Sequence, residues 1–143
     1  MVVKISAKDG FLWDDSYLIG NKQIDDQHHQ LFDLINSLVQ NCDDGKDKDK
    51  ETIKKALDFL VDYTVRHFND EEALQIECNF PEYEQHKQLH EDFKNTVTDL
   101  VGRYVNSGSY AVLNSDIKSI VIKWLVNHVL YEDKKIGLHL QGV

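Results

Sequence analysis

Residues 53–64 read IKKALDFLVDYT, and the fold class follows from this stretch. Its apolar positions and one threonine recur three and four residues apart, which is the spacing of one face of an α-helix. The residues on this face are Ile53, Leu57, Leu60, Val61 and Thr64. A helix with one apolar face has to bury that face against other elements, so the stretch predicts a packed helical protein.

The same periodicity recurs in three further segments of the chain. Its residues are Leu31, Leu34, Ile35 and Leu38; Leu89, Phe93, Val97 and Leu100; and Ile117, Ile120, Val121, Trp124 and Leu125. A charged loop at 41–50, a turn in which we place Pro81 at the first helical position, and a turn at 106–110 separate the segments. Helices of roughly 17 to 28 residues joined by short loops pack antiparallel to their neighbours. The sequence therefore predicts an all-α, up-down-up-down antiparallel four-helix bundle behind an N-terminal arm.

The size and charge of the chain limit its organisation and its partners. A chain of 143 residues is the size of one domain, in which we expect an arm (1–24), a bundle (25–136) and a short tail (137–143). The net charge of -9 repels nucleic acids and anionic membrane surfaces, so we expect neither as a partner. No apolar run suits a signal peptide or a membrane span, which predicts a soluble cytoplasmic protein. The oligomeric state stays open, a monomer included.

Cysteine usage is consistent with a reducing compartment. Cys42 and Cys78 lie far apart in the sequence and form neither a CxxC pair nor a repeating disulfide framework. We therefore expect both residues to be reduced, structural thiols.

Histidines on the predicted helices are the first indication of function. His67 is followed four residues later by Glu71, and His86 is followed four residues later by His90. Side chains four residues apart on an α-helix lie on the same side and roughly 6 Å from each other, so both can reach one metal ion. Each pair is therefore a candidate pair of metal ligands.

Three further candidates lie on the first and fourth helices. His28 stands in the first helix, and His128 and Asp133 stand five residues apart in the fourth. On an ideal α-helix a separation of five places two side chains about 140° apart, which is awkward for neighbouring ligands of one ion. A site wide enough for two ions would accept both, with Asp133 as a bridge. We expect His29, on the solvent side of its helix, and His139, in the tail, to lie outside the site.

A metal centre explains this set better than other chemistry. Five imidazoles and two carboxylates in an apolar bundle would be costly to bury without a cation. The chain has no HExxH sequence of a zinc protease and no Glu-x-x-His pair of a ferritin-like carboxylate site. It also has no glycine-rich phosphate loop and no serine nucleophile elbow. Imidazole-rich ligation suits iron, and by ligand type alone it also accepts zinc, copper or nickel.

Four motifs of the chain resemble those of the hemerythrins, in particular the bacterial ones. They are IDDQHHQLF (24–32), HFNDEE (67–72), FPEYEQHKQLH (80–90) and WLVNHVLYEDKK (124–135), and WDDSY (13–17) resembles the arm of the family. The resemblance implies two iron ions joined by an oxo or hydroxo bridge. It gives His86, His90 and His128 to one ion, His28 and His67 to the other, and Glu71 and Asp133 to both as bridges.

The resemblance also implies a function. Such ligands leave one coordination position open, at which dioxygen binds reversibly, with Leu31, Phe68, Trp124 and Leu125 as the pocket wall. We therefore expect a non-enzymatic oxygen carrier, store or buffer. One alternative is an oxygen or redox sensor domain of a signalling protein. Another is a di-iron enzyme that reduces peroxide or nitric oxide, which would need an electron donor.

Overall fold

The structure, a computed structural model, describes residues 5–6, 10–11, 13–43 and 50–142 as four long helices behind a short arm. The helices are α1 (Lys22–Asp43), α2 (Lys50–Glu77), α3 (Tyr83–Ser107) and α4 (110–140). In the arm, the two-residue strands β1 (Ile5–Ser6) and β2 (Gly10–Phe11) pair antiparallel, and a single 3₁₀ turn spans Asp15–Tyr17. The predicted all-α class is confirmed, with this small hairpin as the one addition among the described residues.

The helices pack in the order in which they occur in the chain. Each contacts the helix before or after it, and α1 also contacts α4, which closes the ring. Helices that are neighbours in both sequence and space run antiparallel when short turns join them. The predicted up-down-up-down bundle is therefore confirmed. No helix among the described residues has the length and hydropathy needed to cross a membrane.

The apolar face of residues 53–64 is the face that α2 turns toward the core. Ile53, Leu57, Leu60 and Thr64 are buried and Val61 is half-buried, whereas Phe59 on the opposite side is 56% exposed. Full burial of one leucine contributes about 1.5 to 3 kcal/mol relative to leaving it in water. The periodicity of the sequence thus identified the buried face.

The helix ends differ from the predicted ones in a few places. Helix α1 begins at Lys22 and α4 ends at Leu140, so the helices extend slightly beyond 25–136. Most of the predicted charged loop, residues 44–49, lies outside the described residues, as does the side chain of Cys42.

The turn before α3 corrects one prediction. Pro81 is not the first helical residue, because α3 begins at Tyr83. The Tyr83 backbone N–H donates to the Phe80 carbonyl oxygen at 3.3 Å, which places Pro81 at the second position of a β-turn. The fixed φ of proline suits that position as well as it suits a helix start, which is why the sequence alone did not separate the two.

Helix α4 is not wound uniformly. Its α-helical segments are Tyr110–Asp116, Lys123–Asn127 and Lys134–Leu140, and its π-helical segments are Ile117–Ile122 and His128–Asp133. The backbone keeps right-handed helical angles at the junctions, with φ -63° and ψ -46° at His128 and φ -57° and ψ -34° at Lys134. The π segments are therefore local changes of winding inside one continuous helix.

A lysine side chain of α4 and a close approach of two backbones hold the arm against α4. Lys134 Nζ donates hydrogen bonds to the carbonyl oxygens of Ser16 and Leu18, at 3.2 Å and 2.5 Å. A Cβ atom added to Gly137 would lie 2.1 Å from the carbonyl oxygen of Ile19, so only glycine lets α4 approach the arm this closely. The arm is thus held directly beside the segment of α4 that contains Asp133.

Candidate metal centre

Glu71 lies at the middle of a buried cluster of histidines and presents one oxygen to each side. Its Oε1 atom lies 2.7 Å from His86 Nε2 and 3.1 Å from His90 Nε2. Its Oε2 atom lies 3.3 Å from His67 Nε2 and 3.5 Å from His28 Nε2. A carboxylate oriented in this way can bind two ions at once, one through each oxygen.

Asp133 is oriented in the same way from the opposite helix. Its Oδ1 atom lies 3.0 Å from both His86 Nε2 and His128 Nε2, and its Oδ2 atom lies 3.0 Å from His28 Nε2. The side chains of both carboxylates are fully buried. Two carboxylates therefore lie between three histidines on one side and two on the other.

These contacts define two overlapping groups of ligand atoms, each within 4.8 Å of one another. The three-histidine half consists of Glu71, His86, His90, His128 and Asp133, and the two-histidine half consists of His28, His67, Glu71 and Asp133. All seven residues that the sequence suggested as ligands are brought together, although they come from four different helices.

The winding of α4 corrects our expectation about His128 and Asp133. The two residues are the first and last of a π-helical segment, and the Nε2 and Oδ1 atoms lie 3.0 Å apart. In a π-helix the hydrogen bonds join residues five apart, so residues at this separation stand about one turn from each other on the same face. Both side chains can therefore serve one ion, which the 140° of an ideal α-helix made awkward.

The nitrogen and oxygen atoms of the cluster are placed better for binding a metal ion than for forming hydrogen bonds with one another. His128 Nε2 lies 3.0 Å from His86 Nε2 and 3.2 Å from His90 Nε2, so three ring nitrogens converge on one point. Several fully buried polar atoms form no hydrogen bond of regular geometry in the described part of the chain, although some of them lie within ion-pair distance of each other: both ring nitrogens of His28, Oε2 of Glu71 and both oxygens of Asp133. Buried polar atoms without partners are costly, and cations bound between the two carboxylates would satisfy four of them, namely Nε2 of His28 and the three carboxylate oxygens. The buried cluster therefore fits a metal site.

Sequence reasoning missed the residues that orient the candidate ligands from outside. His90 Nδ1 lies 2.7 Å from Glu72 Oε2, and His67 Nδ1 lies 2.7 Å from Gln27 Oε1. Gln27 Nε2 in turn donates to Asp70 Oδ2 at 2.8 Å. Such contacts fix the tautomer and the orientation of a metal-binding histidine. They join different helices, so no local spacing in the sequence could have indicated them.

The four predicted pocket residues lie in the core around the cluster. The Phe68 ring stacks on His90 with ring centroids 3.8 Å apart, and Trp124 stacks on His128 at 4.2 Å. Leu31 and Leu125 are buried, and Leu125 also lines a narrow apolar cavity in the bundle. Both aromatic side chains therefore cover the three-histidine half. The role of the four residues in an oxygen pocket stays a prediction.

The two remaining histidines lie away from the cluster and have structural contacts. His29 is 53% exposed and stacks on Trp13 with ring centroids 4.7 Å apart, which fastens the arm to α1. His139 Nε2 lies 2.8 Å from the carbonyl oxygen of Cys78. The Cys78 thiol is free and lies 3.7 Å from the carbonyl oxygen of Gln75.

Without metal, the cluster is held by imidazolium and carboxylate pairs. Burial lowers the pKa of His28, but the contacts with Asp133 and Glu71 outweigh burial and raise this pKa to about 9. The same balance raises the pKa of His86 to about 10. Burial opposes ionisation of Glu71, yet the surrounding histidines hold the pKa of this carboxyl well below its usual range.

These pKa shifts predict how the metal-free protein responds to pH. For His28 and His86 the folded pKa lies above the unfolded value of 6.5, so their stabilisation is complete below that pH. It is lost as pH rises through about 9 and about 10, when each imidazolium deprotonates in the folded state. We expect urea unfolding of the metal-free protein to show a falling free energy of unfolding across this window.

Metal-loaded protein is the control for that measurement. A metal ion takes the place of the imidazole protons, so metal binding releases protons and the loaded protein should lack the decline. The same free energy of unfolding for metal-free protein on both sides of the window would contradict the assignment of charged pairs.

Comparison with known proteins agrees with this geometry. The family described as Hemerythrin HHE cation binding domain matches residues 20–137. A hemerythrin-like protein of Naegleria gruberi is 35% identical over 125 residues, covering 87% of this chain and 89% of that protein. A bacteriohemerythrin of Methylococcus capsulatus is 34% identical over 113 residues, covering 79% of this chain and 82% of that protein.

The fold is shared as well. A crystal structure of wild-type hemerythrin matches with a TM-score of 0.77 and 32% sequence identity, covering 90% of this chain and 96% of that one. The family match extends over all four helices and includes every residue of the cluster. This chain therefore belongs to the hemerythrin family.

Proposed function

We propose that the chain binds dioxygen reversibly at a pair of iron ions held by the two halves of the cluster. Its proposed ligands are His28, His67, Glu71, His86, His90, His128 and Asp133. An oxo or hydroxo group would be the third bridge beside the two carboxylates. Ferrous iron supplies the reversible affinity for dioxygen, which no amino-acid side chain has.

The unequal number of histidines in the two halves is the observation that carries this proposal. The two carboxylates are shared, so one half would hold an ion with three imidazoles and the other half would hold an ion with two. An ion in the half that contains His28 and His67 would therefore have one protein ligand fewer and room for dioxygen. A closed structural site would have no such room.

The side chains around the cluster suit binding without turnover. Leu31, Phe68 and Leu125 are buried apolar residues, and Trp124 covers His128 with its indole ring. None of the four has a titratable proton to pass to a bound molecule, and together they exclude water from one side of the cluster. We therefore propose an oxygen carrier, store or buffer and not an enzyme.

Reversibility is the property to test. The iron-loaded protein is reduced without air, dioxygen is admitted, and the visible charge-transfer absorption is followed while the gas is removed and readmitted. We expect the band to appear, disappear and return over repeated cycles. A band that never forms, or one that bleaches with release of hydrogen peroxide, would contradict reversible binding.

A carrier and a sensor differ in what dioxygen does to the rest of the chain. Lys134 follows Asp133 directly and holds the backbone of Ser16 and Leu18, so the arm is the element best placed to report a change at the cluster. For a carrier we expect the same amide hydrogen exchange in residues 13–20 with and without dioxygen. A large difference confined to these residues would favour a sensor.

Leu125→Ala should shorten the time for which the protein keeps binding dioxygen. Leu125 is buried three residues before His128, and alanine would leave space for water beside the cluster. Cavity formation alone costs about 2 to 5 kcal/mol, so both proteins are compared at a temperature where both remain folded. We expect a faster loss of dioxygen-binding capacity, measured from the absorption band after repeated gas cycles.

Leu57→Ala is a matched control for this substitution. Leu57 is buried and lines the same apolar cavity, but it precedes His67 by ten residues, or about 15 Å along α2. We expect Leu57→Ala to lower the stability of the fold without shortening the time for which the protein keeps binding dioxygen. If wild type and Leu125→Ala lose dioxygen-binding capacity at the same rate, Leu125 is an ordinary core residue with no role in protecting the centre.

A further inference from the structure

The two halves of the cluster have outer hydrogen-bond partners of different charge. His90 Nδ1 contacts the Glu72 carboxylate, and His67 Nδ1 contacts the Gln27 amide oxygen, both at 2.7 Å. The Nε2 atoms of both rings face Glu71, so when Nε2 binds metal, Nδ1 carries the proton and donates it to the outer oxygen. A carboxylate therefore supports the three-histidine half, whereas an amide supports the two-histidine half.

The difference in charge has a large electrostatic effect on the two histidines because the contacts are shielded from water. The side chain of Glu72 is 12% exposed and that of His90 is fully buried. Charges at such depth interact more strongly and are screened less by salt than charges at the surface. On the other side Gln27 Nε2 donates to Asp70 Oδ2 at 2.8 Å, so the nearest outer carboxylate is one hydrogen bond further from the ring.

We propose that Glu72 is a positioning residue that lowers the reduction potential of the three-histidine half of the centre. A carboxylate that accepts the Nδ1 proton of an imidazole makes its Nε2 atom a stronger electron donor to iron. It also adds negative charge near the ion. Both effects favour the ferric state over the ferrous state. The couple is a one-electron reduction, in which a ferric ion takes one electron from an electrode and no bond to the protein forms or breaks. The inference rests on the proposed function only in requiring two bound iron ions.

Glu72→Gln tests this role while keeping the hydrogen bond. Glutamine has nearly the shape of glutamate and still offers an oxygen to His90 Nδ1, so mainly the charge is lost. We expect the midpoint potential of the three-histidine half to rise in a mediator-coupled titration of the iron-loaded protein. A tenfold change in the ferric to ferrous ratio corresponds to a rise of about 59 mV for a one-electron couple.

Glu91→Gln is the control for a general effect of charge. Glu91 follows His90 directly in the chain, but it is 47% exposed and pairs with Lys94 at 2.9 Å. Its loss changes the net charge by the same amount at a site facing solvent. We expect no more than a small change of potential, and a shift equal to that of Glu72→Gln would overturn a specific role for Glu72.

A second variant keeps the inference testable if Glu72→Gln fails to hold iron. Gln27→Glu combined with Asp70→Asn moves a carboxylate one hydrogen bond closer to His67 and leaves the net charge unchanged. We expect this double variant to lower the potential of the two-histidine half. An unchanged or raised potential would overturn the inference.

The outcomes also separate the inference from the proposed function. Unchanged potentials in Glu72→Gln, with two irons and normal dioxygen binding, would leave Glu72 a purely structural role. Shifted potentials in a protein that binds two irons and no dioxygen would support the inference and contradict the proposed function. A wild-type chain that holds fewer than two irons would overturn both.

Discussion

Glu71→Ala is expected to abolish the binding of both proposed iron ions. The Glu71 side chain presents Oε1 to His86 and His90 and Oε2 to His28 and His67, so one substitution removes a ligand from both halves. An ion that kept its histidines would also lose one of the two negative charges that balance the pair. We expect elemental analysis of the purified variant to find almost no iron and the dioxygen-dependent absorption to be absent.

His29→Ala is the matched control on the first helix. His29 is the neighbour of His28 in sequence, but it is half exposed and stacks on Trp13. We expect this variant to keep the full iron content and the absorption band. If His29→Ala loses iron while Glu71→Ala retains it, the assignment of ligands on α1 and α2 is wrong.

Removal of metal is expected to lower the melting temperature strongly. Metal-free protein keeps two carboxylates and five imidazoles in its core, several of their atoms without hydrogen-bond partners. A ligand present at a thousandfold excess over its dissociation constant stabilises the folded state by about 4 kcal/mol. For a domain of this size that corresponds to a difference in melting temperature on the order of 10 °C or more.

The measurement is a comparison of thermal unfolding before chelation, after chelation and after metal is added back. Recovery of the original melting temperature on adding metal excludes irreversible damage by the chelator. Identical melting of metal-free and metal-loaded protein would mean that the cluster does not couple metal binding to folding.

The sequence was sufficient for the bundle because its signal is local and repeated. The spacing of Ile53, Leu57 and Leu60 indicated which face of α2 is buried, and Phe59 on the other side is indeed exposed. The turn at 106–110 was equally readable: Gly108 ends α3 with a left-handed φ of 62°, and the Ser109 side chain caps α4 by accepting from Val112 N–H. Such features depend on residues within one or two helical turns.

The winding of α4 required information from other helices. Five residues separate His128 from Asp133, and an α-helix would turn one of them away from the cluster. Whether the backbone widens into a π segment depends on the elements that it packs against. The local sequence carries no information about those elements. The separation of five residues was the available signal, since a π segment is one way to bring two such side chains to one ion.

The outer partners of the ligands could not be predicted for a similar reason. Asp70, Glu71 and Glu72 are three consecutive acidic residues, and only the second of them enters the cluster. Asp70 accepts a hydrogen bond from Gln27 of α1, and Glu72 contacts His90 of α3. Their different roles follow from the directions in which successive side chains leave α2, and the partners become visible only when the helices are packed.

The claim on which the rest depends is that one chain holds two iron ions. The measurement that tests it most directly is the iron content of protein purified after iron-replete expression, counted per chain by elemental analysis against an accurate protein concentration. Seven ligand residues in two overlapping groups predict two irons per chain. One iron per chain, or zinc in place of iron under these conditions, would contradict the account.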